Sequence, residues 1–241
     1  MRMWLYSLLL SFILSNPLVK NLNYHQEVCN KTHISASNID QAKYAVGRFE
    51  WHYNTDIISH GTAFCIAILS DQPACSMWIT CRHVAERNEQ DLEKESFPLL
   101  RYKALSGSET TIEIKNIKLS NVDDIAVFVI DFVPDKFLLL APLGFNDKLE
   151  IAQVLISAGC PLALYPPVVT VGYYIAKTEE GWLSMNVGGW YGSSGSPVID
   201  LNSMQIVGMV HRFRRLPAQS DNICALDSDH IRMYLEYLKQ N

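Results

Sequence analysis

The chain has no Cys-x-x-Cys pair, no internal repeat and no low-complexity segment. The first absence argues against a structural zinc module, whose ligands come in closely spaced pairs. The second argues against a repeat array. Positive charge is not in excess either. There are 20 Lys and Arg against 25 Asp and Glu, a net charge of −5, so binding to nucleic acid by bulk electrostatics is disfavoured. Past the N-terminus no apolar run approaches the roughly 20 residues that a membrane-spanning helix needs, so no stable membrane span is expected.

What remains is a chain of 241 residues, 49% hydrophobic, long enough for one large or two small domains. Valine, isoleucine and threonine come in short runs punctuated by Gly, Pro, Asn and Asp, the texture of an all-β protein. Arg2 followed by the mostly apolar Trp4–Leu14 has the pattern of a signal peptide, although no Ala-x-Ala cleavage site follows. Residues 1–22 are read as a signal peptide or leader, which implies a secreted or periplasmic protein. The six cysteines are Cys29, Cys65, Cys75, Cys81, Cys160 and Cys224. An even number permits disulfides in an exported chain, and spacing alone leaves their connectivity open. Cys65 and Cys81 fall on consecutive strands of one expected hairpin and should lie close together. No metal site and no cofactor are expected, Cys81 and His83 being at most loose ligands. Asn30-Lys31-Thr32 is a glycosylation sequon.

Strands are expected over Val46–Trp51, Gly61–Leu69 and Met77–Cys81, the last delivering His83 at its end. Further strands are expected at Leu99–Ala104 and Thr110–Leu119. Asp124 stands before an unbroken apolar run, Ile125–Ile130, and Asp123 faces the other way because strand side chains alternate. Phe132–Asn146, with Pro134 and Pro142, reads as a crossing between two halves. The second half starts with Leu149–Ile156 and continues through Val168–Ala176 and Trp182–Asn186. Gln205–Arg212 and Asn222–Leu226 close it. Asp227-Ser228-Asp229 then caps a helix, His230–Lys239, with Ile231, Tyr234, Leu235 and Leu238 on one stripe.

Between those strands stands Gly192-Ser193-Ser194-Gly195-Ser196-Pro197. Two glycines bracket a serine in a stretch that lets substrate approach main-chain N–H groups. Paired N–H donors of that kind stabilise an oxyanion. Together with Gly61-Thr62-Ala63-Phe64, Ile79-Thr80-Cys81-Arg82-His83-Val84 and Asp124-Ile125-Ala126-Val127, this stretch resembles the four landmark motifs of the chymotrypsin-like (trypsin-like) serine peptidases. The order His, Asp, Ser is also theirs. Ala158-Gly159-Cys160-Pro161-Leu162 and Cys224-Ala225-Leu226 resemble segments of the HtrA-like and glutamyl-endopeptidase branches, without a PDZ domain.

The resemblance covers roughly Val46 to Leu238. It implies an all-β fold of two six-stranded β-barrels, over residues 45–135 and 146–226, with a C-terminal helix over 227–241. It implies catalysis by His83, Asp124 and Ser194, with an oxyanion hole in the backbone of Gly192, Ser193 and Ser194. Protein or peptide substrates are the implied partners. Gly188, Gly189, Val210, His211, Arg212 and Phe213 would form the primary substrate pocket. No acid stands at its base, so cleavage after uncharged or acidic residues is expected and basic ones should be rejected. His211 has a second possible role, support of Asp124. A catalytically inactive binding module and a serine esterase stay open as alternatives, as does a structural β-protein. Ser196 stands where an esterase elbow needs glycine.

Overall fold

The computed structural model describes residues 39, 41–69, 74–86, 95–216 and 219–240, and not the side chains of 213–221. The expected leader, Cys29 and the Asn30 sequon lie outside the described residues.

Two all-antiparallel β units follow one another. The first contains β1 (Val46–Tyr53), β2 (Asp56–Leu69), β3 (Cys75–Thr80), β4 (Ser96–Lys103), β5 (Glu109–Glu113), β6 (Ile117–Leu119) and β7 (Ala126–Ile130). They form one seven-stranded sheet in the order β5-β4-β1-β2-β3-β7-β6. The expected single strand over 110–119 is two short ones, because Ile114 turns aside and donates to Pro98 O at 3.0 Å. β5 and β6 are the outer strands of the sheet, yet the chain passes from one to the other within four residues, a span of at most about 14 Å. The sheet is therefore rolled until its edges nearly meet. Phe49, Phe64, Trp78 and Phe128 fill it, each fully buried, with Phe49 set edge-on to Phe128 at 5.8 Å.

The second unit contains β8 (Val154–Gly159), β9 (Val168–Lys177), β10 (Leu183–Met185), β11 (Pro197–Asp200), β12 (Gln205–Leu216) and β13 (Gln219–Asp227). These close into a six-stranded barrel in the order β10-β13-β12-β11-β8-β9. Leu155, Leu183, Met185, Val198 and Ile223 pack inside. β8 begins later than sequence alone suggests. Residues 150–153 are a turn, with Ala152 at φ 69° and Gln153 N–H on Glu150 O. The crossing segment is fastened to both units, by Leu138 N–H on Cys65 O and by Ala141 N–H on Ile206 O.

A four-residue helix, α1 (Arg82–Ala85), follows β3, and α2 (Ser228–Gln240) ends the chain. Asp227 caps α2 by accepting the Asp229 N–H at 2.8 Å. Ile231, Tyr234 and Leu235 bury its apolar stripe.

The cysteine expectation is corrected by the register. Cys65 lies opposite Trp78, so Cys81 is three residues further along, on the order of 10 Å away at a strand's rise. Cys65, Cys81 and Cys160 are free thiols, and they are buried, as are Cys75 and Cys224.

Candidate active site

The site is assembled at the junction of the two units. Sequence reasoning puts His83 at a strand end; it sits one step further, in the first turn of α1. Cys81 starts that turn, accepting the N–H groups of Val84 and Ala85 on its carbonyl. Trp51 Nε1 donates to Val84 O at 3.1 Å and holds the turn against β1. Arg82 points outward to Glu86 and also reaches Ser120 O.

Asp124 occupies the bend before β7. Ser120 Oγ accepts the N–H groups of Val122 and Asp123, which shapes that bend. The carboxylate then meets His83 twice. Oδ1 accepts the His83 backbone N–H at 2.8 Å, and Oδ2 meets Nδ1 at 2.6 Å. A second histidine, His211 on β12, puts its own Nδ1 on the same Oδ2, also at 2.6 Å. Burial works against the charged carboxyl, but the hydrogen bonds from His211 and His83 outweigh it and hold Asp124 well below the usual carboxylate range. An ionised carboxylate only accepts, so each Nδ1 carries the hydrogen. In a neutral His83 the free lone pair is therefore on Nε2.

The serine loop is locked peptide by peptide. Gly192 and Gly195 have φ of 91° and 86°, the left-handed region that favours glycine. A Cβ on Gly195 would stand 2.0 Å from Thr62 O. Leu162 N–H bonds Tyr191 O at 2.6 Å, and Ser196 N–H bonds Ser193 O at 2.9 Å. In a trans peptide the N–H points opposite to the C=O. These two carbonyl bonds therefore turn the N–H groups of Gly192 and Ser194 away from Leu162 and Ser196. Neither N–H donates to another atom among the described residues.

Ser193 is a correction to the expected donor set. Its N–H is committed to Trp190 O at 2.9 Å, and its Oγ accepts the Trp190 N–H at 3.1 Å. It braces the loop and has no N–H left for an oxyanion.

Thr62, on β2, fastens this loop to the first unit. Its Oγ1 donates to Gly192 O at 2.8 Å and accepts the Cys160 N–H at 3.0 Å. Its backbone N–H bonds Ser194 O at 2.9 Å. On the far side, Val210 O accepts both the Gly195 N–H and the Cys81 thiol. Ser194 is thus held between β2, the neighbour of the strand that leads to His83, and β12, the strand that carries His211. No hydrogen bond joins Ser194 Oγ to His83 among the described residues; such contacts are often long before substrate binds.

The expected pocket residues divide. Val210 is buried in the second core and both its backbone groups are bonded. His211 faces Asp124, with Trp182 packed edge-on at 5.1 Å. Arg212 is exposed, its guanidinium 3.8 Å from the Trp182 ring centre. Gly188 is exposed, with its carbonyl held by Thr170 Oγ1 at 3.0 Å. Gly189 lies in the same loop, half-buried. The Phe213 side chain is outside the described part.

Two contributors escape a sequence reading. Thr62 stands inside a recognisable motif, but nothing in the motif says which carbonyl its hydroxyl meets. Leu162, at φ 52°, acts through its backbone alone and leaves no trace in residue type.

Among curated proteins, none matches the chain. Solved structures with a similar fold include the crystal structure of Deg5, which is 15% identical with a TM-score of 0.64, over 84% of this chain and 92% of that one. Another is that of the serine endoprotease from Yersinia pestis, 18% identical with a TM-score of 0.62, over 88% of this chain and 69% of that one. At these identities the likeness concerns the fold. The trypsin-like peptidase domain family matches residues 61–209, a span that includes His83, Asp124 and Ser194. With more than half of its length matched, the chain belongs to the trypsin-like peptidase family.

Proposed function

We propose that the chain is an active serine endopeptidase with Ser194 as nucleophile, His83 as general base and Asp124 as the residue that orients the base. The observation that carries this reading is the double grip of Asp124 on His83, with the Ser194 loop fastened alongside. A serine hydroxyl is a weak nucleophile at neutral pH and needs a base within reach. His83 Nε2 takes the Ser194 proton as Oγ attacks the substrate carbonyl. The oxyanion that forms is held by the N–H groups of Gly192 and Ser194, each worth on the order of 3 kcal/mol. His83 then returns the proton to the leaving amine, and water releases the acyl group by the same steps in reverse. Asp124 steadies the imidazolium that forms in between.

His211 belongs to this machinery as a positioning residue. It bonds the carboxylate that orients His83, which commits its Nδ1 to Asp124 and not to the substrate side chain. The proposed specificity stays with uncharged or acidic residues before the cleaved bond. The exposed Arg212 gives a basic rim that disfavours Lys and Arg. The Arg2 and Trp4–Leu14 pattern supports export as part of the same proposal.

Labelling with a fluorophosphonate, alongside cleavage of a mixed peptide library, tests the reading. Wild type should label at Ser194, and Ser194→Ala should neither label nor cleave while keeping its melting temperature. An unlabelled, correctly folded wild type would instead identify an inactive binding module. Rapid cleavage after Lys or Arg, with little after Leu, Ala or Glu, would refute the specificity.

A further inference from the structure

Cys81, His83, Asp124 and His211 each offer one ligand atom, and the four atoms lie within 4.8 Å of one another. We propose that they form a site for a soft divalent cation of the Zn²⁺ class, and that its occupancy silences the peptidase. The regulatory half of this proposal rests on His83 being the general base; the binding half does not.

The donor set suits such an ion. One thiolate, two imidazoles and one carboxylate make a four-coordinate N/S/O shell of the kind zinc takes. At zinc's bond lengths of about 2.0–2.3 Å the ligand atoms of a tetrahedron stand roughly 3.3–3.6 Å apart. The two Nδ1 atoms now meet Asp124 Oδ2 at 2.6 Å. The carboxylate therefore withdraws by less than about 1 Å, and the more distant ligands close in by a similar amount. His83 can follow, since half of its side chain is exposed, and the same face gives the ion its entry. Charge closes as well. The ion brings two positive charges, and the Cys81 thiolate and Asp124 bring two negative ones. The filled site is neutral, which limits the penalty of burying it. Sequence patterns for zinc miss this set because its ligands come from the turn after β3, the bend before β7 and β12.

The proton balance explains the silencing. Binding releases the Cys81 thiol proton to water. Both histidines give their Nδ1 lone pairs to the ion, so the hydrogen of each neutral ring moves to Nε2. A His83 with its hydrogen on Nε2 has no lone pair left to accept the Ser194 proton. The ion thus acts through the tautomer of the base and needs no contact with substrate.

The test is a titration of the full chain with Co²⁺, read by the thiolate-to-cobalt charge-transfer band, followed by displacement with Zn²⁺. One equivalent should bind and give the band. Cys81→Ser should lose the band and bind at least about 10-fold more weakly, and His211→Asn should weaken binding similarly while keeping the band. Ser194→Ala should bind like wild type. One equivalent of Zn²⁺ should abolish fluorophosphonate labelling, and chelation should restore it. No stoichiometric binding, or a band that survives in Cys81→Ser, overturns the site. Binding with undiminished labelling overturns the regulation. Should wild type fail to label even without metal, the peptidase reading fails, and the cobalt titration still reads the site.

Discussion

Replacing Thr62 with valine removes one oxygen atom from a fully buried position and keeps the shape. That oxygen makes two hydrogen bonds, to Gly192 O and from Cys160 N–H. Valine leaves both groups without their partner, at about 1–3 kcal/mol each. Gly192 is half-buried and can recruit water, which places it at the low end. Less about 1 kcal/mol for the extra apolar group, the expected loss is about 1–3 kcal/mol. For a chain of this size that lowers the melting temperature by about 2–12 °C. The catalytic effect has a separate origin. The freed Gly192 carbonyl lies between the two peptide planes that carry the proposed oxyanion donors. Partial loss of one donor should lower kcat by about 10- to 100-fold with little change in KM. Thermal unfolding and peptide hydrolysis on the same samples measure both. Thr62→Ser keeps the hydroxyl and should recover kcat, even though it loses a methyl group and some stability. A Thr62→Val enzyme with wild-type kcat would show that the loop holds its shape without this bond, and the reasoning would be wrong.

Three further outcomes are expected. Asp124 has its carboxyl depressed, so its contribution to stability is present above the ordinary value of about 3.9 and is lost as pH falls through the lower folded value. Wild type should lose stability more steeply below about pH 5 than Asp124→Asn, measured by urea unfolding across pH, and the asparagine variant should lose about 10⁴ in kcat at neutral pH. Gly195→Ala meets Thr62 O at a left-handed φ, so it should lose about 3 kcal/mol or more and fail to label. Arg48→Met leaves the buried Glu50 carboxylate, two residues along β1, with His52 as its remaining side-chain partner, and should cost up to about 3–5 kcal/mol; adding Glu50→Gln should recover much of the melting temperature.

The chain's alternating apolar runs made the strands legible, and the Gly-Thr-x-Phe and Gly-x-Ser-Gly stretches made the family legible. What stayed hidden depends on contacts between distant segments. Asn54 turns β1 into β2 at φ 53°, so β2 starts five residues before the apolar pattern begins at Gly61. The splitting of 110–119 follows from one bond to Pro98. The withdrawal of Ser193 as a donor is decided by the Trp190 carbonyl, since residue type says nothing of where a backbone N–H goes. His211 could be read as a pocket wall or as a partner of Asp124, and only its distance from the carboxylate separates the two.

The buried Arg48 has a consequence beyond its own ion pair. It lies in the first unit and grips Ala163 O in the second. The turn that contains Ala163 also presents the Leu162 N–H to Tyr191 O. Each unit therefore holds a piece of the other's geometry, and neither carries a finished oxyanion site alone. Activity becomes a gauge of docking: a small parting of the units slackens the loop while both cores remain packed. On heating or in mild denaturant, labelling of Ser194 should fade ahead of the loss of β structure, and a chain cut within residues 132–146 should regain labelling only as its halves re-associate.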